Sequence, residues 1–167
     1  MSNKSKEVVI VSATRTPIGT YKGSLKNMKS HHLGSIVIKE VLKRSKFDKD
    51  EIDEVIMGQV LTTGAGQNPA RQAAINAGIP ISKPAHIINQ VCGSGLRAVI
   101  SGYQSIKLGE AKNIISGGQE NMSIAPHSIF YRDKKKISED KLLDTMINDG
   151  LIDAFNNYHM GVTAENV

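Results

Sequence analysis

The sequence predicts an α/β fold in which helices cover both faces of a mostly parallel β-sheet. Short β-branched runs alternate along the chain with longer segments whose apolar residues recur at helical spacing, and this alternation is typical of parallel sheets. Glycine and proline punctuate the junctions, as expected where strands and helices meet loops. With 167 residues, of which 40% are hydrophobic, the chain is long enough to bury one core of ordinary size.

The first strand and helix are predicted near the N-terminus. Residues Glu7–Ser12 (EVVIVS) form a continuous β-branched run that ends before Pro17 and Gly19, so they predict a buried strand followed by a loop. The apolar residues of segment 32–47 (HLGSIVIKEVLKRSKF) recur at helical spacing. Basic residues crowd the C-terminal end of this segment, where the helix dipole favours them, and this supports a helix.

A second strand and helix follow. Segment 54–63 (EVIMGQVLTT) is apolar and ends in β-branched residues, so it predicts a strand. The next helix has signals at both ends, because Asn68 suits the N-cap, Pro69 suits the first helical position and Gly78 suits the C-terminus. The sequence therefore predicts a helix bounded by these residues.

A third strand, a third helix and a fourth strand complete the pattern. Segment 85–91 (AHIINQV) predicts a strand, and segment 94–110 (SGLRAVISGYQSIKLGE) predicts a largely buried helix that stops at Gly109. Segment 111–118 (AKNIISGG) returns as a strand. A helical segment between successive strands is the usual connection of a parallel sheet.

Residues 1–119 are therefore predicted to form the α/β core, and residues 120–167 to begin a subdomain that grows from the sheet. The second region is more polar, has a less regular strand signal and holds most of the aromatic residues. Its compact basic run at 133–136 (DKKK) is predicted to be a solvated loop. Because the chain stops at Val167 inside a predicted helix, we expect this sequence to be a piece of a longer protein.

Composition argues against several classes of protein. The net charge is +5, but only 4% of the residues are aromatic and tryptophan is absent, so platforms for stacking nucleic-acid bases are not expected. No apolar run reaches the roughly 18 residues of a membrane-spanning helix, and too few residues precede the first apolar run for a leader peptide. A single cysteine forms no internal disulfide and favours a reducing compartment. We therefore expect a cytoplasmic protein with neither nucleic acid nor membrane as a partner.

The single cysteine, Cys92, lies in the glycine-rich stretch 89–98 (NQVCGSGLRA), where the third strand is predicted to meet the third helix. Gly93 and Gly95 permit backbone angles that other residues resist. The N–H groups at the start of a helix stabilise a thiolate and can also hold a developing oxyanion. A lone cysteine is more often a small buried side chain, but two flanking glycines at such a junction favour a nucleophile.

The same turn permits a second interpretation. Residues 93–98 (GSGLRA) satisfy the G-x-G-x-x-A pattern of dinucleotide-binding proteins, which would indicate a nicotinamide-dependent oxidoreductase. The pattern is weak by itself, because it follows the third predicted strand and no acidic residue obviously ends the next one. The turn alone leaves both interpretations open.

Five stretches together resemble the thiolase family, in particular its acetyl-CoA acetyltransferases of the biosynthetic type. In the order in which the family has them, they are RTPIG (15–19), GQNPARQAA (66–74), NQVCGSGLRA (89–98), GGQENMS (117–123) and DGLIDAFNNYHMGVTAEN (149–166). They are spread over nearly the whole chain, from residue 15 to residue 166. The resemblance implies a thiolase-like α/β fold, incomplete here, with 1–119 as its N-terminal core and 120–167 as the start of a substrate-binding loop subdomain.

The resemblance also implies a reaction. Cys92 takes the acetyl group of one acetyl-CoA as a thioester, and a second acetyl-CoA, deprotonated at its methyl carbon, attacks it to give acetoacetyl-CoA and CoA. His159 and Met160 of the HMG motif would line the pocket for the pantetheine and acyl end, with Leu151 as a further wall residue. Coenzyme A thioesters are the implied substrates, with no other cofactor. No metal is predicted, because Asp149 and Asp153 lie four residues apart without a His or Cys partner. The full-length enzyme would be a homo-oligomer, either a dimer or a tetramer.

Two thiolase motifs do not occur in this sequence: the G-H-P-type histidine that activates the cysteine, and the C-x-G-x-G cysteine that acts as acid and base. We therefore expect the chain to have a nucleophile without its base and to be inactive alone. Related alternatives are a 3-ketoacyl-CoA thiolase of fatty-acid breakdown and a non-catalytic member of the same fold. A ketoacyl synthase shares the fold and nucleophile, but HMGVTAEN and GQNPARQ favour a thiolase.

Overall fold

The computed structural model describes residues 7–132 and 142–167. Within these residues the elements follow one another as α1 (Ser30–Ser45), a 3₁₀ turn (Lys49–Glu51), β1 (Glu54–Gly58), α2 (Pro69–Ala77), β2 (Ala85–Ile88), α3 (Ser94–Leu108), β3 (Ile114–Gly118), a 3₁₀ turn (Met122–Ile124), β4 (His127–Ser128), β5 (Leu143–Asp144), a π-helical turn (Ile147–Leu151) and α4 (Met160–Glu165).

Strands β1, β2 and β3 form a parallel sheet in the order β2-β1-β3. In this register Val55 of β1 lies opposite Ala85 of β2 and Ile115 of β3. Strand β1 is therefore central, and all of its residues after Glu54 are buried. Parallel neighbours connected through helices are the arrangement that the sequence predicts, so the α/β fold is confirmed.

Helices α1 and α2 cover one face of the sheet and form the main hydrophobic core with it. Because side chains alternate along a strand, Val55 and Met57 point to the same face. They join a buried cluster with Ile38 of α1 and Ala73 of α2. The other buried members of this cluster are Ile52, Ala70, Ala74, Ile79 and Ile115.

Helix α3 covers the opposite face and turns its small residues toward the sheet. Its buried residues are Ser94, Ala98 and Gly102. A Cβ on Gly102 would lie 2.5 Å from Oγ of Ser116 in β3, so the helix backbone lies very close to the strands. The large side chains face outward, with Leu96 69% and Tyr103 49% exposed. The prediction of a largely buried helix is therefore wrong, because helical spacing identifies an apolar stripe without showing which stripe meets the sheet.

The strand predicted over Glu7–Ser12 does not form. The segment has no strand structure, and Val9, Ile10 and Val11 are 64%, 79% and 64% exposed. A strand exists through hydrogen bonds to a neighbour. Both edges of β1 are occupied by β2 and β3, and no strand in the described part of the chain pairs with this segment. The β-branched run indicates strand propensity, but propensity does not supply the partner.

The ends of α2 and α3 agree with their sequence signals. Asn68 precedes α2, and its side-chain oxygen accepts a hydrogen bond from the N–H of Arg71 at 3.1 Å. Pro69 is the first residue of α2, and Gly78 ends the helix with a φ of 92°. Gly109 ends α3 with a φ of 82°. Both angles belong to the left-handed region that favours glycine, so these predictions are confirmed.

The residues after β3 form smaller units. Strands β4 and β5 pair in antiparallel orientation, with His127 opposite Asp144, and the π-helical turn and α4 follow. The domain boundary at residue 119 stays a prediction, and the basic run at 133–136 lies outside the described residues. None of the helices in the described part of the chain is long and apolar enough to cross a membrane.

Candidate active site

Cys92 lies in the turn that connects β2 to α3. Strand β2 ends at Ile88 and α3 begins at Ser94, so the cysteine follows a strand and precedes a helix, as the sequence predicts. Its side chain is exposed. Because α/β proteins bind ligands beyond the carboxyl ends of their parallel strands, this turn is the natural place for a reactive group.

Local hydrogen bonds hold the turn in a strained shape. The Ser94 hydroxyl accepts from the N–H of Gln90 at 2.8 Å and donates to the carbonyl oxygen of Val91 at 2.6 Å. The side-chain oxygen of Asn89 accepts from the N–H of Val91 at 2.9 Å. Val91 has a φ of 48°, which a β-branched residue rarely adopts. The role of Ser94 was not predicted, although a hydroxyl at the start of a helix is a signal for such local hydrogen bonds.

Two glycines let the start of α3 rest directly on the sheet. A Cβ on Gly58 of β1 would lie 2.4 Å from the carbonyl carbon of Ser94. A Cβ on Gly118 of β3 would lie 3.4 Å from Cα of Gly95. Because Gly58 and Gly118 lie opposite each other in the sheet, they form one surface, which we call the glycine platform. The platform sets the height of the Cys92 turn above the carboxyl ends of the strands.

The end of α3 next to Cys92 supplies a positive field. The helix has 15 residues and no acidic residue in its first turn. Its N-cap is Gly93, which has no side chain to occupy the free backbone N–H groups. These groups and the helix dipole favour negative charge. The arrangement can therefore stabilise a thiolate at Cys92, or an oxyanion formed beside it.

Buried amide side chains connect the carboxyl ends of β1 and β3. Gln119 donates its side-chain N–H to Oε1 of Gln59 at 2.9 Å, and Gln59 donates to the carbonyl oxygen of Leu61 at 2.7 Å. The two glutamines are only 6% and 2% exposed. Each directly follows a strand, and a polar residue at that position is a sequence signal for such a contact.

Glu120 binds the segment that follows β1. Its Oε2 accepts hydrogen bonds from the N–H of Val60 at 2.7 Å and of Leu61 at 3.3 Å. Burial raises the pKa of the Glu120 carboxyl group, and hydrogen bonds from the N–H groups of Val60, Leu61 and Asn121 partly oppose this rise. The other carboxyl oxygen, Oε1, is buried and has no hydrogen-bond partner in the described part of the chain.

The other predicted site residues lie around the start of α4. His159 is the N-cap of α4, and its Nδ1 accepts a hydrogen bond at 2.9 Å from the backbone N–H two residues later. A neutral ring therefore carries its proton on Nε2. Met160 begins α4, Leu151 ends the π-helical turn, and Ile152 forms a β-bridge with His159 that joins the two segments. Among the described residues none of the three predicted residues forms a hydrogen bond with Cys92, so their shared pocket stays a prediction.

Metal-binding side chains do not cluster in the part of the chain that the structure describes. There, no group of three or more His, Cys, Asp or Glu residues is arranged to hold an ion. Structural and catalytic zinc sites use three or four such ligands. The expectation that no metal takes part stays a prediction.

Known proteins share both the sequence and the fold of this chain. The family profile described as "Thiolase, N-terminal domain" matches residues 8–167. The acetyl-CoA acetyltransferase of Paracoccus denitrificans is 55% identical over 161 residues, which cover 96% of this chain and 41% of that protein. The cytosolic acetyl-CoA acetyltransferase of Rattus norvegicus is 53% identical over 167 residues, which cover 100% of this chain and 42% of that protein.

Solved structures agree with these relatives. The crystal structure of the Bacillus anthracis acetyl-CoA acetyltransferase matches with a TM-score of 0.89 and 36% identity, over 95% of this chain and 40% of that one. The Acat5 thiolase from Ascaris suum, in complex with coenzyme A, matches with a TM-score of 0.88 and 37% identity, over 96% of this chain and 42% of that one. The chain thus spans 40% to 42% of the length of these four proteins. The parallel sheet, the glycine-bounded cysteine turn and the match over residues 8–167 together show that the chain belongs to the thiolase family and corresponds to its N-terminal domain.

Proposed function

We propose that Cys92 is the acyl-accepting nucleophile of an acetyl-CoA acetyltransferase. The observation that supports this most directly is the position of the thiol: it is exposed, and it lies at the N-terminus of a 15-residue helix that rests on the glycine platform. A thiol suits this reaction because exchange of an acyl group between two sulfurs is nearly balanced in energy and therefore reversible. The four relatives described above carry the name acetyl-CoA acetyltransferase or thiolase.

The proposed reaction has two halves. In the first, the Cys92 thiolate attacks the thioester carbonyl of acetyl-CoA, the bond from that carbon to the CoA sulfur breaks, and CoA leaves as a thiolate that takes up a proton. In the second, a base removes a methyl proton from another acetyl-CoA, and the resulting carbanion attacks the acetyl-cysteine. Acetoacetyl-CoA leaves and the Cys92 thiolate is restored. The N–H groups at the start of α3 favour the negative charge at Cys92 in both halves.

The base of the second half is not assigned to a residue of this chain. The thiolase motifs that would supply the activating histidine and the second cysteine do not occur in the sequence. We therefore propose that the chain alone accepts an acetyl group at Cys92 without carrying out the condensation. Activity in the full reaction requires the region of the longer relatives that this chain does not match.

The substrate pocket is proposed to include His159, Met160 and Leu151. The β-bridge between Ile152 and His159 supports this, because it brings the ends of two otherwise separate segments together. Coenzyme A thioesters are the proposed substrates, without a further cofactor or metal. A cytoplasmic location and a homo-oligomer, a dimer or tetramer, complete the proposal.

Alkylation of Cys92 by iodoacetamide, followed by mass spectrometry across a range of pH, tests this function. The label is unambiguous because the chain has one cysteine. With acetyl-CoA we expect an acetyl adduct on Cys92 and loss of alkylation. Cys92→Ser provides the background. Alkylation that is unchanged by acetyl-CoA, with no acetyl adduct, would contradict the proposal, and protection by NAD instead would favour the dinucleotide interpretation.

A further inference from the structure

We propose that Glu120 is a positioning residue for the nucleophile: it holds Val60 and Leu61, and thereby fixes the end of β1 on which both flanks of the Cys92 turn rest. This inference depends on the role proposed for Cys92 and adds a residue of β3's carboxyl end to the site. Glu120 does not hydrogen-bond the turn itself. It acts through the backbone of the chain that follows β1.

The contact between Glu120 and this segment joins distant parts of the sequence. Oε2 of Glu120 accepts from the N–H groups of Val60 and Leu61, 60 and 59 residues away. Both N–H groups lie beyond the last residue of β1 and therefore outside its ladder. The carboxylate thus replaces the hydrogen bonds that a strand would have supplied. Loss of Oε2 would leave two backbone donors without this acceptor.

The two residues that directly precede Val60, namely Gly58 and Gln59, contact the turn from both sides. On the β2 side, the N–H of Gln59 donates to the carbonyl oxygen of Ile88, the last residue before the turn region, at 3.1 Å. On the α3 side, Gly58 lies against the backbone of Ser94, whose hydroxyl closes the turn. Residues on either side of Cys92 therefore contact two consecutive residues of β1's end, and Glu120 binds the next two. Displacement of this segment moves the thiol relative to the N-terminus of α3.

Asp53 supplies a matched control at the opposite end of the same strands. Its Oδ2 accepts from the N–H groups of Lys112 at 2.7 Å and Asn113 at 3.0 Å, so it joins the amino ends of β1 and β3 as Glu120 joins their carboxyl ends. Each carboxylate accepts two backbone hydrogen bonds between the same two strands. Substitution of either one is expected to lower stability, but only Glu120 lies at the end that carries Cys92.

The experiment compares Glu120→Ala, Glu120→Gln and Asp53→Ala in the 167-residue chain. For each, the melting temperature is measured together with the second-order rate constant for iodoacetamide alkylation of Cys92 at pH 7. We expect Glu120→Ala to slow alkylation about fivefold, because the Cys92 thiol loses its alignment with the N-terminus of α3. Glu120→Gln keeps an accepting oxygen and should stay within about twofold of the wild type. Asp53→Ala should lower the melting temperature without changing the rate.

Two results would overturn the inference: equal alkylation rates in Glu120→Ala and Asp53→Ala, or a Glu120→Gln variant as slow as Glu120→Ala. If Glu120→Ala does not fold, Glu120→Asp takes its place, because the aspartate side chain keeps the carboxylate but is shorter by one methylene. In that case the inference is supported if Cys92 in Glu120→Asp is alkylated at a rate between its rate in Glu120→Gln and its rate in the unfolded chain. A Glu120→Asp rate equal to that of the wild type rejects the inference. Failure of the proposed function has a different readout, namely a wild-type chain that gains no acetyl group from acetyl-CoA.

Discussion

The two faces of the parallel sheet are covered by helices in different ways. On one face, α1 and α2 bury large apolar side chains such as Ile38, Met57 and Ile79 in a closed core. On the other, α3 meets the sheet through Ser94, Ala98 and Gly102. The first arrangement removes apolar area from water and stabilises the fold. The second removes little apolar area from water but brings the backbone of α3 close to the strands. It therefore fixes the position of the Cys92 turn, which precedes α3, relative to the sheet.

The outward side of α3 shows the consequence of this division. Its large apolar residues fall at positions i, i+3, i+4 and i+7 and therefore share one face. They are Leu96, Val99, Ile100 and Tyr103, with exposed fractions of 69%, 37%, 38% and 49%. A helix with its small residues inward and its large residues outward presents an interaction surface to its surroundings. The α3 layer therefore places the Cys92 thiol and presents a surface for contact, whereas the α1 and α2 layer stabilises the fold.

The largest expected effect comes from opening the closed core. Ile38 is 1% exposed, and Ile38→Ala leaves a cavity between α1 and the sheet. We expect the free energy of unfolding to fall by about 3 kcal/mol. Leu96→Ala on α3, where the side chain is 69% exposed, should change it by less than about 0.5 kcal/mol. Urea unfolding of both variants measures the difference, and comparable losses would show that the two faces do not differ in this way.

A smaller loss is expected when the close approach of α3 is blocked. A Cβ on Gly58 would meet backbone atoms of Ser94 and Gly95 at 2.4 Å and 2.5 Å, so Gly58→Ala must push the start of α3 away. We expect a loss of about 2 kcal/mol and slower alkylation of Cys92. Gly117→Ala is the control, because its Cβ would lie 3.9 Å from the Met57 side chain, an ordinary contact. A Gly58→Ala variant with the stability and thiol reactivity of Gly117→Ala would contradict the role of the glycine platform.

Local signals predicted part of this architecture. The bounds of α2 follow from Asn68, Pro69 and Gly78, because capping and backbone angle are set by neighbouring residues. The position of Cys92 between a strand and a helix was predicted for the same reason. The exposure of Val9 was not predicted, because a strand needs a hydrogen-bonded neighbour and strand propensity does not show whether one is present.

Long-range contacts determine the rest of the candidate site and were not predicted. The role of Gly58 depends on Ser94, which lies far along the chain, and the role of Glu120 depends on Val60. Such pairs arise only when the strands are placed side by side. The orientation of α3 has the same origin. Its apolar stripe is visible in the sequence, but the glycine platform that turns its small residues toward the sheet is not.

Self-association should follow from the outward face of α3. We expect the mass measured by light scattering to rise with protein concentration, because the exposed apolar stripe can bury itself against another molecule. Ile100→Gln lies within this stripe and should weaken the association. Ile75→Gln on α2 is a matched control, since both isoleucines are 38% exposed, and it should leave the association unchanged. A monomeric mass at all concentrations would contradict this prediction.

The smallest expected effects concern pH, and they contrast the two ends of the strands. Hydrogen bonds from the N–H groups of Asn113 and Lys112 lower the pKa of Asp53 from 3.8, so its contribution to stability is present above that value and is lost as the pH falls through the lower folded pKa. Burial raises the pKa of Glu120 from 4.5, so its protonation-linked contribution is present below that value and is lost as the pH rises through the higher folded pKa.

Stability curves of Asp53→Asn and Glu120→Gln test this contrast between pH 3 and pH 7. The stability of the wild type relative to Asp53→Asn should increase with pH, and its stability relative to Glu120→Gln should decrease with pH. If the two stability differences change with pH in the same direction, burial does not distinguish the two carboxylates. Opposite slopes are expected because backbone hydrogen bonds favour the charged form of Asp53, which lowers its pKa, whereas burial disfavours the charged form of Glu120, which raises its pKa. Of the two carboxylates, only Glu120 lies at the end of the sheet that carries Cys92.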